Sequence, residues 1–163
     1  MSRVEYDEDS DAGYNLRQGR WLAIMRSTLL GRRGQEALRL LQEELERMPV
    51  KELTYGRLCD VTEHGPIVCA LGALAHAHGY TYEDMKDTDI DIEDDTATWA
   101  AGHLDISYPL AMVLLELNDE EFGMFGLRGY LPSERYQGVL DWVRRARAEP
   151  LEVWREYKRS HYE

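Results

Sequence analysis

Cysteine is scarce in this chain: Cys59 and Cys69 are its only two thiols in 163 residues. Two cysteines are too few for a disulfide scaffold, and no secretory signal argues for an oxidising compartment. Long apolar runs are missing as well. No stretch approaches the roughly 20 apolar residues that cross a bilayer. The N-terminal segment is acidic and polar instead of basic and then apolar, so the sequence predicts no signal peptide and a cytoplasmic protein. Positive charge is in short supply: 19 Lys and Arg face 31 Asp and Glu, giving a formal net charge of −12. Such a surface repels phosphates and anionic headgroups. It argues against direct binding of nucleic acid or membrane and for a protein partner with a basic surface.

What is present is a normal globular share of hydrophobic residues, 44%, enough for one domain with a real core. Residues 1–13 hold Glu5, Asp7, Glu8, Asp9 and Asp11 and read as a flexible acidic arm; residues 14–163 read as a single helical domain. From Tyr14 the apolar period is helical through Leu30, and Gly31-Arg32-Arg33-Gly34 breaks it. A stronger amphipathic helix runs from about Gln35 to Met48, and Pro49 ends it. Residues near 57–60 and 66–68 read as a short β-hairpin, with His64-Gly65-Pro66 as the turn.

The stretch from Cys69 to Gly79 is rich in Ala, Gly and Leu and predicts a buried central helix with a small-residue surface. A turn of helix at Tyr82 leads into an acidic loop, followed by a short helix over 95–102. Ser107 and Pro109 open an almost wholly apolar helix that Asn118-Asp119 closes. Phe122, Met124, Phe125, Leu127 and Tyr130 lie in a long apolar loop read as folded over the core. Helices from Pro132 to Ala148 and from Leu151 to about Ser160 complete the chain. The expected fold is a mainly α, compact single-domain bundle of six or seven helices around the small-residue helix, with one short β-hairpin.

Four groups of residues carry chemistry on paper. Cys69 stands at a helix N-terminus, where unpaired N–H groups lower a thiol pKa. A nucleophilic Cys69 needs a base, and His76 lies two turns up the same helix, about 10 Å away at 1.5 Å rise per residue. His64, His78 or His103 would have to be supplied by the fold, with Asn118 or Asp119 as the orienting group. The competing reading, a small buried hydrophobe, is the commoner state of such a cysteine.

Cys59, His64 and Cys69, with His76 or His78, lack the close cysteine pair of structural zinc sites, so no metal and no cofactor is expected. Arg32, Arg33, Gly34 and Gln35, with Arg26 and Arg39 near in sequence, combine the ingredients of an anion site, although a tight helix–helix turn explains the glycines equally. Asp87, Asp89, Asp91, Glu93, Asp94 and Asp95 form the acidic stretch offered to a partner. It begins like a calcium loop but has Ile92 and Thr98 where an EF-hand needs glycine and glutamate.

Three segments in order, Gly31-Arg32-Arg33-Gly34-Gln35 before a Leu-rich helix ending in Met48-Pro49, Val68-Cys69-Ala70-Leu71-Gly72-Ala73, and Asn118-Asp119 after an apolar helix, resemble a group of small uncharacterised bacteriophage and prophage proteins. The resemblance covers roughly residues 20–145. It implies a phage or prophage setting and a compact helical domain, and it implies no activity. The expected function is that of a non-enzymatic accessory protein acting by protein–protein binding through acidic surfaces. One form is a DNA-mimic-like inhibitor of a host defence or nucleic-acid enzyme. The alternatives are a cysteine-dependent enzyme using Cys69 with a histidine, a minor virion or assembly component, and a small-anion binder at Gly31–Gln35.

Overall fold

The computed structural model describes residues 11–86, 93–119 and 131–163. Residues 1–10 of the acidic arm, residues 87–92 of the acidic stretch and the apolar segment 120–130 lie outside the described residues, as do the side chains of 11–13 and 93–95. The described chain is mainly helical: α1 Asp11–Leu30, α2 Arg32–Arg47, the strands β1 Cys59–Thr62 and β2 Gly65–Val68, then α3 Ala70–Ala77, α4 Tyr82–Lys86, α5 Glu93–His103, α6 Tyr108–Asp119, α7 Pro132–Ala148 and α8 Pro150–Tyr162. No described helix is long and apolar enough to cross a membrane.

The corner between α1 and α2 is tighter than its glycines suggest. The expected four-residue break is one residue, Gly31, and α2 resumes at once with Arg32. Its sharpness needs both glycines. A Cβ on Gly31 would sit 2.4 Å from the Ser27 carbonyl oxygen, and one on Gly34 would sit 1.9 Å from that of Thr28. Gln35 fastens the corner by donating from Nε2 to the carbonyls of Leu29 at 2.6 Å and Ala146 at 2.9 Å, so a C-terminal carbonyl of α1 is satisfied by a side chain.

Along α2, Ala37, Leu38, Leu41 and Leu45 recur at helical spacing and are buried. Outside, Arg39 bridges Glu36 and Glu43. Helix α2 ends where Pro49 forbids continuation. There Lys51 donates to the Glu46 carbonyl at 2.6 Å and Tyr136 to that of Leu45 at 2.7 Å.

Eight helices are described, one beyond the expected seven at most. The eighth is α4, the expected turn of helix at Tyr82, which spans five residues and which Thr81 and Asp84 cap reciprocally. The Asp84 amide donates to Thr81 Oγ1 at 3.1 Å and the Thr81 amide to Asp84 Oδ2 at 2.8 Å, the capping-box exchange. The hairpin pairs antiparallel with Cys59 opposite Val68 and Thr62 opposite Gly65. Its turn is therefore Glu63-His64, and Gly65-Pro66 belong to β2. A two-stranded ladder tolerates Pro66, whose missing donor faces no third strand.

Helix α3 packs against α2, α6 and β2, and Ala70 through Ala75 are all buried. Helix α6 packs against α1, α3, α5 and α7, while α8 closes the bundle on α1 and α7. Two indoles tie α1 to α8: Trp21 donates to the Tyr157 hydroxyl at 2.8 Å and Trp154 to the Leu22 carbonyl at 3.1 Å.

Candidate functional site around Cys69

Cys69 lies where β2 gives way to α3, and its extended backbone (φ −82°, ψ 179°) makes it the helix cap. Its sulfur accepts from the Gly72 amide at 3.3 Å, and its own amide donates to the Leu58 carbonyl at 3.0 Å. The thiol is thus the cap acceptor that Ser or Asp usually supplies. Burial dominates its acidity: removal from water pushes the Cys69 thiol up to about 12, against the lowering effect of the Gly72 amide. A helix N-terminus favours a thiolate only where solvent or a cation also supports the charge, and here the nearby ionisable group is the carboxyl of Asp119, which opposes it.

Asn118 does reach this site, across 48 residues of sequence. Its Oδ1 accepts from the Ala70 amide at 2.9 Å, and its Nδ2 donates to the Thr54 carbonyl at 2.9 Å and to Asp119 Oδ1 at 2.7 Å. Asp119 Oδ1 also accepts from the Gly56 amide at 3.3 Å. The amide of Asn118 is therefore spent on two backbone groups and the Asp119 carboxylate: it joins the start of α3 to the strand-like segment at Leu53-Thr54, and none of its described hydrogen bonds goes to an imidazole.

The histidines are distributed elsewhere. His64 is exposed on the hairpin turn. His103 is exposed on α5, where its ring stacks on Trp99 at 5.1 Å and its Nδ1 donates to the Trp99 carbonyl at 2.8 Å. His78 is exposed at the end of α3. The fold brings Cys69, Asn118 and Asp119 together and brings neither His64 nor His103 to them. Cys59 is also buried and free, its thiol shifted upward chiefly by desolvation. Among the described residues no group of three or more His, Cys, Asp or Glu converges as metal ligands would.

One polar cluster escaped the sequence reading. Glu44 projects from the apolar face of α2 and is 5% exposed. Its carboxylate accepts from Nδ1 of His76 on α3 and pairs with Arg47 at 2.8 Å. His76 in turn stacks on Tyr82 with ring centroids 4.7 Å apart, and burial raises the Tyr82 hydroxyl, with the Glu44 charge adding to it. The signal was legible: Glu44 stands three residues after Leu41, at a core position where an unpaired charge would be intolerable. A carboxylate that orients an imidazole is half of an acid–base pair. No described contact places a nucleophile beside it, so the cluster reads as a satisfied polar seam between α2, α3 and α4.

Of the Arg32, Arg33, Gly34 and Gln35 segment, the first three line an open groove of about 410 Å³ that also includes Ser27, Thr28, Asp105 and Ser107, and Gln35 does not. Arg33 meets Asp105 across it, Gln35 is committed to carbonyls behind it, and Gly34 is buried. Thr28 and Ser107 share a 2.8 Å hydrogen bond on its floor, while Ser107 caps α6 through the Leu110 amide at 3.3 Å. The segment's geometry is that of a helix corner whose arginines stand outward.

No protein-family model, no characterised protein and no solved structure matches the chain.

Proposed function

We propose that this chain is a non-enzymatic accessory protein of phage type that binds a protein partner with a basic surface in the bacterial cytoplasm. The observation that carries this reading is the burial of Cys69. The one nucleophile the sequence offered is a desolvated helix cap, and no described hydrogen bond joins it to the exposed imidazoles of His64 and His103. Carboxylates supply the remaining chemistry. Glu63, Glu83 and Asp84 are exposed on the hairpin turn and on α4, which packs against β1. The sequence then continues into Asp87, Asp89, Asp91, Glu93, Asp94 and Asp95. A net charge of −12 draws such a surface toward the basic groove of a host defence or nucleic-acid enzyme, where complementary charge supplies on-rate and specificity. The phage-like order of the three sequence segments supports the setting.

The test is capture of host proteins on the immobilised full chain, followed by a salt titration of the purified pair. Retained partners are expected to be basic, and affinity is expected to fall roughly tenfold or more between about 0.1 M and 0.5 M salt, as the screening length shrinks. Converting Asp87, Asp89 and Asp91 to Asn is expected to weaken the same pair without lowering the melting temperature. Salt-insensitive binding, or binding indifferent to those substitutions, contradicts the acidic-surface reading. Retention only by phage structural proteins replaces it with a virion or assembly role.

A further inference from the structure

Helix α4 has little of its own to hold it in place. It spans five residues, far too few for a helix to persist without tertiary support. It packs against β1, one strand of a two-stranded ladder, and Met85 is its one buried residue. Tyr82, three residues before Met85 and so on the same side of the helix, supplies the rest. Its ring lies on the His76 imidazole of α3 with centroids 4.7 Å apart and planes 8° from parallel. With Tyr82 and Met85 turned inward, Glu83 and Asp84 stand exposed on the other side.

A stack of this kind holds only while the ring beneath keeps its plane. His76 lies in the last turn of α3 and its side chain is 36% exposed, so the helix alone leaves the imidazole free to change rotamer. Glu44 removes that freedom. One carboxylate oxygen accepts from His76 Nδ1, and Arg47 holds the other at 2.8 Å. The carboxylate is buried between Leu41 and Leu45 on the inner face of α2. Burying a charged pair is costly, and an apolar side chain of similar volume is often no less stable in such a place. An apolar residue would not fix the plane of an imidazole.

We propose that Glu44, His76 and Tyr82 are positioning residues: the buried carboxylate of α2 orients the imidazole on which α4 is seated, and so sets where Glu83 and Asp84 meet a partner. The partner-facing half of this rests on the acidic-surface reading above. Lys86 pairs with Glu83 at 3.4 Å on the same short helix, so the charges of α4 move as one when its seat is lost. Fixing them before contact spares a basic partner the entropy of ordering them, which is how preorganisation adds affinity.

The experiment reads α4 in the chain alone before any partner. The Met85 amide donates to the Thr81 carbonyl at 3.1 Å, and its hydrogen exchange reports opening of the helix. Tyr82→Ala is expected to speed that exchange about tenfold, while exchange along α2 and the melting temperature stay at the parent's values. Tyr82→Phe keeps the ring and is expected to exchange as the parent does. Glu44→Leu is expected to loosen α4 as Tyr82→Ala does, whereas Glu44→Gln, which keeps an acceptor for Nδ1, is expected to hold it. Against the basic partner captured by the full chain, Tyr82→Ala is expected to bind about fivefold more weakly and Tyr82→Phe with parental affinity. Unchanged exchange in Tyr82→Ala overturns the proposal. So do a Tyr82→Phe protein as loose as Tyr82→Ala, parental exchange in Glu44→Leu, and a loosened Tyr82→Ala protein that binds as tightly as the parent. Capture of no basic partner, with α4 loosened as expected, contradicts the acidic-surface reading and leaves the seat supported.

Discussion

Gly34→Ala and Gly72→Ala, each the addition of one methyl group, are expected to be among the most destabilising small substitutions in the chain. At Gly34 the new carbon would lie 1.9 Å from the Thr28 carbonyl oxygen, and at Gly72 it would lie 2.2 Å from that of Leu58. Both obstacles are backbone, so no rotamer change relieves them. At Gly72 the start of α3 must lift away from Leu58, which strains the Cys69 amide bond to that same carbonyl. Overpacking of this kind costs about 3 kcal/mol, which in a chain of this length lowers the melting temperature by roughly 6–12 °C. Gly19→Ala supplies the control: nothing lies within 4 Å of its Cβ, and the helical propensity of alanine should stabilise by about 0.5–1 kcal/mol. Thermal unfolding of the three variants should give two large losses and one small gain. Equal behaviour of Gly72→Ala and Gly19→Ala would mean that α3 does not approach Leu58 as described.

Asn118→Leu is the second large effect. The substitution keeps volume and removes both polar atoms, so the Ala70 amide and the Thr54 carbonyl lose buried partners together. An orphaned buried group costs about 1–3 kcal/mol, and two of them sum to roughly 2–6 kcal/mol on the same scale. Asn118→Asp separates the two bonds. Its ionised carboxylate still accepts from Ala70 but repels the Thr54 oxygen and Asp119, whereas the protonated form can donate again. Burial raises the folded-state pKa of such a group above its unfolded value, so the loss is largest at neutral pH and shrinks as the pH falls through that raised pKa. Urea denaturation from pH 7 to pH 4 reads the difference. An Asn118→Leu protein as stable as the parent would remove the strut from the account.

Much of this architecture was readable in the residues because local and tertiary demands agree there. Ala37, Leu38, Leu41 and Leu45 mark the inner face of α2, Pro49 its end, Ser107 and Pro109 the start of α6, and Pro132 the start of α7. Where the two demands conflict, pattern misleads. Gly31 and Gly34 have poor helical propensity and read as a break, yet α2 runs through Gly34, because only a residue without a Cβ lets the corner close on Thr28. Gly65-Pro66 read as a turn, but Glu63-His64 is the two-residue loop that the strand register selects. Thr81 and Asp84, at capping-box spacing, mark the start of α4 at Tyr82.

The surroundings of Cys69 were only half legible. Asn118 adjoins the start of α3, where its amide bonds the Ala70 amide, the Thr54 carbonyl and the Asp119 carboxylate instead of orienting a base. The positions of His64 and His103 are set by how β1, β2 and α5 pack, which no local spacing encodes. On α2 the apolar stripe marks the buried face, and the charge set within it, Glu44, marks the polar contact with His76 that no local spacing shows.

Thiol labelling against pH tests the central claim, that Cys69 is a buried cap and the molecule works through its surface. In a Cys59→Ala background, native Cys69 should react only through opening, hence at least about a hundredfold more slowly than the unfolded chain at every pH from 6 to about 9, and its rate should rise with pH no earlier than the ordinary thiol midpoint near 8.5 that the unfolded chain shows. Rapid labelling of the folded protein with a midpoint below about 8 would mark a reactive thiolate supported by a base and would contradict the account.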